Sequence, residues 1–189
     1  MKTAFGILAF SLLFYACNSA DSNYAPEAYF DVPAFFKQEA VRLHSKQASL
    51  FKTIATGDAC DTLRVQNPDW SREFKLLQKV NLNLPALAGK YQIDRKINDS
   101  LHTIRYSLPE GANGIVELKT VAISNGKVKK LHCRIFETSL LTTHSETWTF
   151  VADSGYAYAG FDRINGITSN RYEIAGLIAF PKQVELWSK

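Results

Sequence analysis

Hydrophobic positions along this chain follow three successive patterns. Residues 4–16 are apolar with only Gly6 and Ser11 between them, and one basic residue, Lys2, stands ahead of the run. A membrane-spanning helix needs about 20 apolar residues, so this shorter run, ending on a small residue, predicts a cleavable signal peptide over 1–16. Helical spacing comes next. Phe36, Ala40, Leu43 and Gln47 recur at intervals of three or four behind Asp31 as N-cap and Pro33 in the first turn, which predicts a helix from Val32 to Ser49. Trp70, Phe74, Leu77 and Val80 repeat the pattern after Asn67-Pro68-Asp69 and predict a second helix that stops near Asn83 to Pro85. Between the two, Leu50 to Ala55 and Ala59 to Gln66 flank Thr56-Gly57-Asp58 and read as a short hairpin.

From Tyr91 the period changes to two. Runs rich in β-branched and aromatic residues predict strands at Lys90–Ile97, Leu101–Leu108, Ile115–Ile123, Val128–Glu137, Leu141–Val151, Tyr156–Ile164 and Arg171–Phe180. Asn125-Gly126 suits a two-residue type I′ turn, and Asp153-Ser154-Gly155 and Asn165-Gly166 are further turns. Alternation sends Leu131, Cys133 and Ile135 to a buried side and Lys130, His132 and Arg134 to a wetter one. The expected fold is α+β: two N-terminal amphipathic helices packed on a curved antiparallel β-meander of about seven strands plus a short hairpin, with a closed barrel as the competing shape.

Composition and charge narrow the function only slightly. A hydrophobic share of 46% with 12% aromatic residues is that of a chain with a sizeable core and argues against disorder. Residues 18–29 are the exception, being small and polar, so 17–29 read as a tether and 30–189 as one globular domain. A formal charge of +4 without a basic stripe and interleaved aromatics gives no reason to expect a nucleic-acid partner.

Leu13-Phe14-Tyr15-Ala16-Cys17 resembles the lipobox of bacterial lipoproteins, in which the cysteine takes diacylglycerol on sulfur and becomes the new N-terminus. Together with Tyr29 to Glu39 and Asp69-Trp70-Ser71-Arg72-Glu73-Phe74, it makes the chain similar to small lipoproteins of the Bacteroidota. The resemblance implies lipidation at Cys17, a membrane partner reached through that anchor, and a place in the cell envelope. Asn18 in place of an aspartate after the anchor implies the outer membrane. It implies no activity. At the level of topology, a strand meander around helices is also similar to periplasmic carriers of acylated proteins.

No motif in the chain specifies catalysis or a cofactor. His44, His102, His132 and His144 fall on different predicted elements with no HxH, HExxH or CxxC spacing, so no metal site is expected. The carboxylates Asp94, Glu117, Glu137, Glu146, Asp162 and Glu173 lie on predicted strands, and a hydrolase would need two of them about 5–9.5 Å apart. Cys60 and Cys133 are a possible disulfide in an oxidising envelope, or two separate core thiols. Lys127, Lys129 and Lys130 at one turn suit either edge protection or an anionic surface. Trp148, Tyr156 and Tyr158 are the candidate lining of an apolar groove on a curved sheet. The expectation is therefore an envelope lipoprotein with a binding or assembly role, toward a protein partner or an apolar ligand, rather than an enzyme.

Overall fold

The computed structural model describes residues 28–123, 125–164 and 167–181, and the predicted signal peptide, the anchor Cys17, most of the tether and the Asn165-Gly166 turn lie outside them. The described residues form an N-terminal helix, a few short helical turns and one sheet. Helix α1 spans Val32–Ser45, and its first turn is capped by Asp31, whose Oδ1 accepts from the Ala34 N–H at 2.9 Å. Its buried face, Val32, Phe36, Ala40 and Leu43, is the one that the periodicity predicts. The helix stops short of Ser49 because Gln47 takes a left-handed φ of 51°, and the N–H groups of Gln47 and Ala48 return to the carbonyls of His44 and Leu43. That is a Schellman end built without the usual glycine.

The second predicted helix is corrected to a single turn, α2, Trp70–Glu73, followed by 3₁₀ turns at Leu77–Lys79 and Pro85–Leu87. Trp70, Phe74, Leu77 and Val80 are nevertheless all buried. The interval of three from Phe74 to Leu77 to Val80 is also the period of a 3₁₀ coil, so tighter turns keep the same apolar face on the core.

Nine antiparallel strands form one open sheet: β1 Ser49–Thr56, β2 Ala59–Val65, β3 Gln92–Asn98, β4 Leu101–Ser107, β5 Gly114–Ile123, β6 Val128–Thr138, β7 Thr142–Val151, β8 Gly155–Ile164 and β9 Thr168–Ala179. The order is β2-β1-β9-β8-β7-β6-β5-β4-β3. The predicted meander is thus β3 to β9, and the hairpin β1–β2 joins its far edge through β1 and β9, where Leu50 faces Ile178. A linear order with β2 and β3 at its edges excludes the closed barrel. Asn125 and Gly126 do turn the chain, with Gly126 at φ +77° and the Lys127 N–H on Asn125 Oδ1, but the connection between β5 and β6 runs to four residues.

Helix α1 and residues 70–82 cover one face of this sheet. Phe36 lies against Phe74, Trp148 and Phe150, and Leu118, Leu131 and Cys133 complete the layer beneath. Two glycines leave room for aromatic rings from the neighbouring strand: Tyr156 lies over Gly176 and Tyr172 over Gly160.

Candidate functional site

Tyr156 and Tyr158 share one face of β8, as alternation predicts, with Trp148 opposite Tyr158 on β7. All three are core residues, 8%, 4% and 1% exposed, on the side that the helical segments cover. Phe74 packs edge-on against the Tyr156 ring, and the Tyr156 hydroxyl donates to Glu73, whose carboxylate also holds Lys52 Nζ at 2.6 Å. Burial comes first in raising both tyrosine pKa values, and the adjoining carboxylates of Glu73 and Glu146 add to it. The expected groove lining is occupied by the protein itself.

Cys60 and Cys133 are both free, the first exposed on β2 and the second buried on β6. Five strand spacings separate β2 from β6, about 24 Å along the sheet, whereas a disulfide needs Cα atoms within roughly 7 Å. The possible disulfide is therefore corrected to two separate thiols. Burial pushes the Cys133 thiol well up, so it stays protonated and inert.

Two of the six strand carboxylates do converge. His144 Nδ1 lies 2.5 Å from Asp162 Oδ1 and its Nε2 lies 3.1 Å from Glu146 Oε1, which Tyr172 approaches through its hydroxyl at 3.4 Å. Tyr158 stacks on Tyr172 at 5.9 Å. The imidazole bridges the two acids, so that protonation of His144 places a positive charge between two negative ones. Burial opposes the charge on His144, but the hydrogen bond to Asp162 and the fields of Glu146, Asp162 and Glu137 outweigh it and raise the pKa above the usual 6.5. A group whose pKa rises on folding stabilises fully below its unfolded value, and the gain disappears as pH climbs through the folded value. The wild type should therefore exceed His144→Gln in stability most at pH near 6, with the gap closing toward pH 8. Urea melts of both proteins across that range check it, and a constant gap would reject the charge account.

Among the described residues no helix covers the opposite face of the sheet. Its register rows run Arg105, Lys119, His132, Thr149, Ala157, Ala175, Thr53 and, one row along, Ser107, Glu117, Arg134, Thr147, Ala159, Glu173, Ala55. The β4 to β6 part is basic. Glu117 is its anchor, holding Arg105 at 2.6 Å and Arg134 at 4.0 Å. His132 bonds Thr149 at 2.9 Å, and burial, reinforced by Lys130, Arg134 and Lys119, lowers its pKa. Below them a cleft of about 630 Å³ is lined by Gln92, Arg105, Ser107, Arg134, Phe136 and Thr147. Its wall is a fixed loop: Ala112 N–H returns to the Pro109 carbonyl, and Asn113 exchanges side-chain bonds with the Thr138 backbone. A register irregularity between Ile115 and Glu117 leaves Val116 at the back of the cleft, and bulges of this kind re-aim side chains beside functional surfaces. A trough of about 270 Å³ continues from Thr147 across Thr149, Ala157, Ala159, Ala175, Thr53 and Ala55.

Sequence reasoning placed Arg134 on the wetter side but could not assemble this face, because Arg105, Glu117 and Arg134 come from three strands. The runs of Ala and Thr on β7 to β9 were its one local signal. No grouping of three or more metal-ligating side chains occurs among the described residues, and no helix among them is long and apolar enough to cross a membrane. Neither the known protein-family models nor the curated protein sequences contain a match to this chain.

Proposed function

We propose that this protein is an acylated cell-envelope lipoprotein, held at the outer membrane through Cys17, whose sheet domain is a non-enzymatic binding module for an acidic protein partner. One observation carries the reading. Among the described residues helical segments cover a single face, and the other offers a preformed cleft lined by Arg105 and Arg134 and a trough beside it, with Lys119 and Lys130 on the same face; of its carboxylates Glu117 is held by the two arginines, while Glu110 lines the cleft and Glu173 the trough. A basic face selects negative partners mainly through steering and register. The carrier reading has less support, because the aromatic side chains that would line an apolar groove pack against α1 and Phe74.

The test has two parts. Intact mass of the protein purified from membranes should show the lipid on the wild type and none on Cys17→Ala. A photocrosslinking residue at Ala157, on the bare face, should capture a discrete acidic protein that the same residue at Lys37 on α1 does not, and Arg134→Gln should weaken that capture by about tenfold. Equal capture from both positions would reject the bare face as the binding surface.

A further inference from the structure

The turns of this fold divide into two chemical kinds. The connections at Gly57-Asp58, Asp99-Ser100, Glu110-Gly111, Asn125 to Lys127 and Asp153-Ser154 all present polar or charged residues. Those between β6 and β7 and between β8 and β9 present Leu140, Leu141 and Ile167, which are 95%, 71% and 80% exposed. Thr142 of β7 pairs with Ile164 of β8, so Leu140, Leu141 and Ile167 stand at the same end of the sheet. Single exposed aliphatics are ordinary, but three of them together on adjacent turns are not.

We propose that Leu140, Leu141 and Ile167 dip into the surface of a lipid bilayer, so that the anchored domain stands on them with its sheet upright. The backbone of the first tip is prepared for a medium without water. Ser139 N–H bonds the Thr142 carbonyl at 2.8 Å, while Ser139 Oγ accepts from the N–H groups of Leu141 at 3.3 Å and Thr142 at 3.0 Å. Ile167 N–H likewise returns to the Ile164 carbonyl at 3.1 Å. These paired N–H groups escape the cost that hydrocarbon imposes on unpaired backbone donors. Behind the aliphatics sits a belt suited to headgroups: Ser139, Thr142, Ser169 and Asn170, with Arg163 as the nearest base. On these strands the first acids, Glu137 and Asp162, stand further back, and Glu110 lies at the same end in the connection between β4 and β5, which Asn113 ties to the Thr138 backbone. Apolar side chains of this kind add to the hold of a diacylglycerol anchor and fix how the domain is oriented on it.

The inference extends the lipoprotein reading but does not need the acyl chain, so the two are tested apart. Leu140→Trp, in the membrane-purified protein placed in nanodiscs of phosphatidylethanolamine and phosphatidylglycerol, should shift its emission to the blue and be quenched by lipids brominated on their chains. Ser100→Trp, at the opposite end of the sheet, should do neither. The Cys17→Ala protein should still bind vesicles of the same lipids, and adding Leu140→Ser with Leu141→Ser should lower that partitioning by about tenfold or more. Absence of quenching at position 140, or partitioning unchanged by the serine pair, overturns the proposal whatever the mass of the wild type shows. If the serine pair fails to fold, the quenching result alone decides.

Discussion

Gly155→Ala should be among the most damaging single substitutions in the chain, costing about 3–5 kcal/mol or preventing folding altogether. Gly155 opens β8 with φ +149°, and a Cβ added there would stand 2.0 Å from the Gly176 carbonyl oxygen, inside the ladder between β8 and β9. Backbone cannot step aside as a flexible side chain can. Relief would require those two central strands to part, and the ring of Tyr156, which lies over Gly176, would lose its seat. Gly126→Ala is the control, because its φ of +77° carries the conformational penalty while nothing lies within 4 Å of the added carbon. That change should cost only about 1 kcal/mol. Chemical denaturation of the two variants measures the steric part as their difference, and similar costs would show that the close approach to Gly176 does not matter.

Most of the strands were readable because their alternation is local. β4, for instance, begins at Leu101 and β6 at Val128 as the pattern predicts, and both ends of β7 fall within a residue of expectation. What could not be read depended on partners far away in sequence. Nothing in Leu50 to Ala55 names β9 as the neighbour of β1, more than a hundred residues later. The end of α1 was hidden for another reason: a glutamine occupies the left-handed position where glycine or asparagine would have signalled a stop. The candidate surfaces divide in the same way. Leu140 and Leu141 are visible as a doublet, yet the pattern assigned Leu141 to a strand, and only the turn bonds of Ser139 show them outside it. His144, Glu146 and Asp162 meet through the β7–β8 register, which alternation alone leaves open.

The two faces of the sheet explain why one substitution on α1 should propagate so widely. Among the described residues the buried apolar cluster lies between the sheet and the segments of α1 and residues 70–82, and Phe36 is where those parts meet. It is fully buried, with ring centroids 5.0 Å from Phe74, 5.2 Å from Phe150 and 5.9 Å from Trp148. Phe36→Ala should cost about 3–5 kcal/mol, as removal of a buried aromatic commonly does. Against a total stability on the order of 5–15 kcal/mol, that is enough to leave a measurable unfolded population at room temperature. Phe36→Leu should recover most of the loss, since it keeps much of the volume and gives up only the edge-to-face contacts. Urea melts followed at once by near-ultraviolet circular dichroism and by tryptophan emission read the outcome, because Trp148 and Trp70 lie on the two sides of the contact. A cost under about 1 kcal/mol would mean that α1 is held by its flanking contacts, Tyr29 with Tyr91 and Arg42 with Asp153, and that the aromatic centre is not what joins helix to sheet.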